Sequence, residues 1–102
     1  RETPFPDLDV DVAAGVVRVD RHRVDLSAKE FALLAYLYEH RGQVRSKDEI
    51  GLAVWPEYDG DVYDYQIENL VHRLRQELEI DPSDPQLLIT VRGLGYKLVA
   101  PA

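Results

Sequence analysis

The segment from Asp61 to Glu79 carries polar side chains whose spacing suits recognition of another molecule. At about 100° per residue it forms an amphipathic helix, whose apolar stripe contains Ile67, Val71, Leu74 and Leu78, with Leu70 at the edge. The opposite face has no acid at its centre and comprises Tyr65, Asn69, His72, Arg73 and Gln76. Asparagine can pair through two hydrogen bonds with adenine, and arginine can do the same with guanine. This face therefore has the chemistry to contact base edges, although a solvated helix face is the ordinary alternative.

A second candidate feature follows this helix along the chain. Apolar residues alternate with other residues from Leu87 to Arg92, which is typical of a half-buried strand, and strand character resumes at Tyr96. Gly93 and Gly95 allow the tight reversal of a β-hairpin between the two segments. Arg92 is then expected at the tip of a two-stranded ribbon, which is the arrangement of a winged-helix DNA-binding module. A hairpin with a merely solvated arginine is the alternative.

The composition limits the class of protein. With 102 residues, the chain is long enough for one domain with a single core, and it has no cysteine for a disulfide or a thiolate site. The lack of cysteine is compatible with a reducing cytoplasm, which is the expected location. No apolar run is long enough to cross a membrane. Pro4 and Pro6, in a chain that does not begin with methionine, lead us to expect a linker over residues 1–7 of a longer protein.

The charge of the chain argues against a nucleic-acid partner. The formal net charge is −7, and neither residues 1–60 nor residues 61–102 have a positive net charge. DNA-binding proteins usually gather Lys and Arg, because contacts to phosphate supply most of their non-specific affinity. Net charge governs solubility and encounter rate, however, while the local face decides binding. A winged helix that has become a protein-interaction module is therefore the main alternative function.

An enzyme is the weakest alternative. His22, His40 and His72 fall in different predicted elements and lack the spacing of metal ligands. No serine or threonine has an evident base partner. We therefore expect no catalytic residue, no metal and no cofactor.

The rest of the chain supplies the elements that must position the polar helix and the hairpin. Alternating segments over residues 8–26 predict a small antiparallel sheet. Ser27 with Glu30, and Ser46 with Glu49, form capping boxes that open two further helices. Their predicted core residues are Phe31, Leu34, Leu37 and Tyr38 in the first helix, and Ile50, Ala53 and Val54 in the second.

Turn residues separate the predicted elements. Gly42 ends the first helix, Val44 is expected to form a brief strand, and Pro56 ends the second helix. The three helices then occupy residues 27–80 and the wing hairpin residues 86–100, within a domain over residues 8–102. The predicted fold class is α+β: a winged helix-turn-helix with an N-terminal antiparallel sheet, a three-helix core and a C-terminal β-hairpin wing.

Five blocks of the sequence resemble the OmpR/PhoB-type winged-helix effector domain of bacterial two-component response regulators. They are residues 26–34, 42–47, 54–55, 71–79 and 89–98, so the resemblance covers nearly the whole chain. The last block, Ile-Thr-Val-Arg-Gly-Leu-Gly-Tyr-Lys-Leu, is highly specific at this distance from an Arg-Leu-Arg helix. The resemblance implies a four-stranded N-terminal sheet, a helix that enters the major groove of double-stranded DNA, and a wing arginine that reaches the adjacent minor groove.

The resemblance also implies individual DNA contacts. The third helix would touch bases and phosphates through Gln66, Asn69, His72 and Arg73. Lys47 matches a phosphate contact near the start of the second helix. Thr90 matches a contact to the DNA backbone, and Arg92 matches the minor-groove arginine. Arg75 is expected to hold acids such as Asp64 or Glu68, with a phosphate contact as the alternative. Tyr96 is expected to pack within the hairpin rather than contact DNA.

Three positions depart from the family pattern in a way that reduces attraction to phosphate. Leu70 stands where a polar histidine is common, Tyr65 where a basic residue is frequent, and Glu77 where lysine is frequent. We therefore expect one copy to bind weakly and a tandem homodimer to form on DNA. Residues 55–60 match a region that contacts RNA polymerase in some family members, or else form a plain solvent loop. The family's phosphorylated receiver domain is not among these residues.

Overall fold

The computed structural model describes residues 4–100, in which two small antiparallel sheets flank three α-helices. The strands are β1 (Leu8–Asp11), β2 (Val16–Val19), β3 (His22–Arg23), β4 (Leu88–Val91) and β5 (Gly95–Leu98). The helices are α1 (Ala28–Glu39), α2 (Lys47–Val54) and α3 (Asp64–Leu78), with a short 3₁₀ helix at Pro56–Tyr58. The chain order of sheet, three helices and hairpin confirms the predicted α+β winged-helix architecture.

The N-terminal sheet has three strands in the order β1-β2-β3, whereas the resemblance implied four. Leu8 pairs with Val19 and Asp11 pairs with Val16, so Leu8 and Val10 of β1 face the core. After β3 only the Val24 N–H still bonds to β2, at 2.9 Å from the Val17 carbonyl oxygen, because the chain turns toward the start of α1.

The chain before β1 is tied to the turn between β2 and β3. The Asp7 N–H donates to the Asp20 carboxylate at 2.9 Å, and the Asp20 N–H donates to the Asp7 carbonyl oxygen at 2.8 Å. Residues 1–3 of the predicted linker and residues 101–102 of the predicted domain lie outside the described residues. The linker over residues 1–7 therefore stays a prediction.

Both predicted capping boxes are present. Ser27 and Glu30 close the first turn of α1, and Ser46 and Glu49 close that of α2, each through a side-chain bond in both directions. α3 begins at Asp64 rather than Asp61, because the Gln66 side-chain oxygen accepts the Tyr63 N–H at 3.0 Å.

The core lies between the three helices and the wing hairpin. α3 buries a broad stripe of five residues, Ile67, Leu70, Val71, Leu74 and Leu78. Burial of Leu70 confirms its predicted place in the apolar stripe, while the expectation that leucine in place of histidine lowers attraction to phosphate stays a prediction. Ala53 was also expected in the core but is exposed; Gly51 of α2 faces inward instead and packs near Val62.

The wing is fixed to the start of α2 by backbone contacts. Tyr96 exchanges both backbone hydrogen bonds with Arg45, at 2.8 and 2.9 Å, so Arg45 rather than the expected Val44 adds a bridge to the hairpin. Gly95 has a φ of +143°, and a Cβ there would overlap the Arg45 carbonyl oxygen. Glycine at this position therefore permits the close approach that sets the wing's orientation.

Candidate nucleic-acid interface

The outward face of α3 carries the polar side chains predicted from the sequence. Tyr65, Asn69, His72, Arg73 and Gln76 are all exposed. Their positions follow from the burial of the opposite stripe, because an α-helix that buries one side turns the other to solvent. At the start of this face the Tyr63 and Tyr65 rings stack, with centroids 5.6 Å apart and planes 13° apart.

Three of the four predicted contact residues on α3 already have partners within the protein. The Gln66 side-chain oxygen caps the helix, which leaves its amide nitrogen for an external acceptor. His72 Nε2 lies 3.4 Å from the Gln76 amide, and Arg73 Nε lies 3.9 Å from the Glu30 carboxylate. Among residues 4–100, Asn69 has no side-chain hydrogen bond to another residue, so both its donor and its acceptor are free.

The tip of the wing presents a cation on a closed turn. Gly93 adopts a φ of +78°, and the Leu94 N–H donates to the Val91 carbonyl oxygen at 2.9 Å. Arg92 is exposed and makes no ion pair or side-chain hydrogen bond with any other described residue. Its guanidinium is therefore available to an acceptor outside the protein.

Arg75 joins α3 to the wing, which corrects the expectation that it holds Asp64 or Glu68. Its Nε and Nη2 both donate to the Leu88 carbonyl oxygen, at 2.9 and 2.8 Å, and Nη2 also donates to Thr90 Oγ1 at 2.8 Å. Position 75 lies on the same side of α3 as the two acids, but seven and eleven residues further along the helix, which is about 10 and 16 Å at about 1.5 Å per residue. Arg75 therefore reaches the hairpin and not their carboxylates. Burial lowers the pKa of Arg75 from its ordinary high value, yet a guanidinium stays charged in proteins.

Glu79 is a structural residue whose role the sequence analysis did not predict. It follows α3 directly and is buried, with its carboxylate facing the start of β4. The backbone N–H groups of Gln86, Leu87 and Leu88 donate to its two oxygens at 2.8–3.1 Å. Nothing in the local sequence separates this acid from the exposed acids nearby, because its donors come from the far side of a loop.

Lys47 lies where the second helix, the third helix and the wing meet. Its Nζ is 2.7 Å from a Glu68 carboxylate oxygen and 3.9 Å from an Asp64 carboxylate oxygen. The hydrogen bond to Glu68 raises the pKa of Lys47 above its usual value. Sequence reasoning missed this pairing, because 21 residues separate Lys47 from Glu68 and only the packing of α2 on α3 joins them.

The predicted residues thus fall into three neighbouring places. Lys47 and Thr90 line one groove of about 450 Å³ between α2, α3 and the wing. Asn69, His72 and Arg73 occupy the outward face of α3, and Arg92 occupies the wing tip beside the groove.

Comparison with known sequences decides the family. The sequence profile described as "Transcriptional regulatory protein, C terminal" matches residues 21–98. The chain belongs to this family. One relative with a similar sequence is the sensory transduction protein RegX3 of Mycobacterium leprae. It is 42% identical over 92 residues, which are 89% of this chain and 46% of that protein. The chain therefore spans about half the length of the curated relatives it matches.

Solved structures of the OmpR/PhoB class have the same fold as this family member. The response regulator DrrB, a Thermotoga maritima OmpR/PhoB homologue, superposes with a TM-score of 0.84 at 28% identity, over 95% of this chain and 43% of that one. The RstA DNA-binding domain of Klebsiella pneumoniae, crystallised with the RstA box, gives a TM-score of 0.78 at 27% identity, over 97% of this chain and 98% of that one. The chain is a winged-helix DNA-binding domain of transcriptional regulators and not an enzyme.

The described part of this domain lacks two other functional features. Residues 4–100 contain no group of three or more His, Asp or Glu side chains that could hold a metal ion. None of the helices in that range combines the length and the apolar character needed to cross a membrane.

Proposed function

We propose that this domain binds specific sequences of double-stranded DNA, with α3 in the major groove and Arg92 in the adjacent minor groove. The observation that carries the proposal is the pairing of an exposed, acid-free α3 face with an unpartnered arginine on a closed wing turn. A recognition helix in the major groove is the general geometry of helix-turn-helix proteins. The RstA domain, similar in fold and crystallised with its DNA box, supports DNA binding by a domain of this fold.

The proposed base contacts come from α3. Asn69 has both a free donor and a free acceptor for a base edge, and Arg73 and His72 flank it one turn along the helix. Gln66 offers only its amide nitrogen, because its oxygen caps the helix. A weak ion pair at 3.9 Å does not fix Arg73 to Glu30, so its guanidinium can turn toward a guanine or a phosphate.

The proposed backbone contacts come from the groove beside the wing. Lys47 supplies a cation, and the backbone amides of Lys47 and Asp48 at the start of α2 have no hydrogen-bond partner among the described residues. Thr90 Oγ1 accepts from Arg75, so its hydroxyl proton points away from that bond and can be donated to a phosphate oxygen. These contacts hold the domain on DNA without reading its sequence.

The parent protein is proposed to be a cytoplasmic response regulator in which phosphorylation of a receiver domain controls this domain. The relatives that are about twice as long as this chain support that proposal. We also propose that two copies bind in tandem on DNA, because an acidic domain gains affinity when the second copy binds beside the first.

Residues 55–60 are proposed as a contact for RNA polymerase. Tyr58 exposes half of its surface there and is followed by exposed Asp59, whereas the Glu57 carboxylate is already paired with Lys29 at 2.8 Å. Alanine at Tyr58 should abolish activation of transcription in vitro while DNA affinity stays the same. Equal activation by both proteins would leave this segment as a solvent loop.

A salt titration tests DNA binding against the alternative of a protein-interaction module. The domain is titrated with random duplex DNA from about 50 to 200 mM salt, and sequences are then selected from the random pool. Contacts to phosphate require the affinity to fall steeply as salt rises, and specific contacts require one sequence motif to be enriched. A folded domain that binds no duplex at the lowest salt would overturn the proposal.

A further inference from the structure

The cation nearest the proposed phosphate path is already neutralised within the protein. Lys47 Nζ lies 2.7 Å from Glu68 and 3.9 Å from Asp64, and its side chain is only 32% exposed. The second acid lies one helical turn before the first on α3, so both carboxylates face the same lysine. A phosphate that approaches Lys47 must therefore compete with a carboxylate for the ammonium group.

The groove around this ion pair is unfavourable to a phosphate. Asp48, Asp64 and Glu68 line it, and Lys47 is the one lysine or arginine among its described lining residues. Arg92, another cation of the interface, lies on the wing tip and has no described acidic partner. The acids of the groove thus neutralise the charge of Lys47, whereas Arg92 on the wing keeps an unpaired positive charge.

We propose that Glu68 is an internal competitor for the DNA phosphate that Lys47 contacts, and that it sets the weak affinity of a single copy. This inference rests on the proposed function. Asp64 acts with Glu68 but more weakly, because it is farther from the ammonium group. When DNA binds, Lys47 exchanges Glu68 for a phosphate and the freed carboxylate takes up a cation from solution, so the exchange releases almost no net counterion. The same contact made by an unpaired lysine would release about one counterion from DNA.

Glu77 provides a matched control on the same helix. It is exposed, carries the same charge, and forms no ion pair with any described residue. Nine residues separate it from Glu68, which places it on the opposite side of α3 at about 100° per residue. Glu68→Gln and Glu77→Gln therefore change the net charge equally, but only the first removes the nearer carboxylate partner of Lys47.

The experiment measures binding of the domain to a duplex with one half-site, as a function of salt, after circular dichroism has shown that each variant is folded. Glu68→Gln should bind about three- to tenfold more tightly than wild type, since one exposed ion pair accounts for up to about fivefold and loss of a repelling carboxylate adds to it. The dependence of log affinity on log salt should steepen by about one ion. Glu77→Gln also removes a negative charge, at a position where the family often has lysine, but frees no cation. It should raise affinity by less than about twofold and steepen the salt dependence far less than Glu68→Gln does.

A Lys47→Ala change in both backgrounds completes the test. It should remove most of the gain of Glu68→Gln, and it should weaken binding more in that background than in wild type. Equal gains from Glu68→Gln and Glu77→Gln, a gain that survives Lys47→Ala, or weaker binding by Glu68→Gln would each overturn the inference while DNA binding itself stands. If wild type and all variants fail to bind DNA, the proposed function falls and this inference falls with it.

Discussion

Replacement of Glu79 by glutamine tests whether one buried carboxylate holds the wing against the recognition helix. The Glu79 side chain accepts four hydrogen bonds from three backbone N–H groups, those of Gln86, Leu87 and Leu88. Glutamine has nearly the same shape but keeps only one acceptor oxygen. Its amide group must then face at least one buried backbone N–H, so that two donors oppose each other.

The expected loss can be worked out bond by bond. An N–H group left without an acceptor costs about 1–3 kcal/mol. The remaining bonds also lose the strength that comes from a charged acceptor, which adds about 1 kcal/mol. Glu79 further favours the charged form of Arg75, the other tie between α3 and the wing. We expect Glu79→Gln to lower the free energy of unfolding by about 2–4 kcal/mol, within a total of about 5–15 kcal/mol for a typical domain.

Trp55 gives a suitable probe, because it is the one tryptophan of the chain and is buried. Urea unfolding followed by its fluorescence should show the loss, and the thermal midpoint should fall by roughly 10–25 °C. Glu77→Gln, an exposed acid two residues earlier, should change the free energy of unfolding by no more than about 0.5 kcal/mol. A Glu79→Gln domain as stable as the Glu77→Gln control would refute the assignment of Glu79 to the wing's support.

Three further predictions concern DNA. Arg92→Ala should weaken binding by about 1–3 kcal/mol without changing the unfolding curve, because the side chain is exposed and unpartnered; unchanged affinity would remove the wing from the interface. Asn69→Ala should relax sequence preference at one or two base positions, whereas Lys47→Ala should weaken all sequences alike, as measured by selection from a random pool; equal shifts in specificity would contradict this division of roles. One copy should bind a single half-site with a Kd near the non-specific range of about 10⁻⁴–10⁻⁶ M at physiological salt. Two copies should bind cooperatively in gel-shift titrations to two repeats about 10–11 base pairs apart. Tight binding to one repeat, or equal affinity when the second repeat is displaced by half a helical turn, would exclude the tandem arrangement.

The sequence alone determined the elements and their order, because local rules suffice for them. Periodicity predicted the α3 stripe, Ser27 and Ser46 predicted the two capping boxes, and Gly93 predicted the hairpin turn. These signals act over a few residues, so they can be recognised in the sequence without knowledge of the fold. Where a local rule was ambiguous the prediction was wrong, as for Ala53 of α2, which is exposed, because the neighbouring elements decide which side of a short helix is buried.

Only the tertiary structure decided which charged groups meet. Asp64, Glu68 and Glu79 are all acids in or just after one helix, yet the first two neutralise Lys47 while the third is buried beneath the wing. Arg75 bonds to the wing's backbone rather than to those acids for the same reason. Charge pairing depends on distances of a few ångströms between elements far apart in sequence, and the packing of α2, α3 and the wing sets those distances. The sequence therefore determines which types of side chain lie at the interface. The fold determines the partners of these side chains, and so which of them are available to DNA.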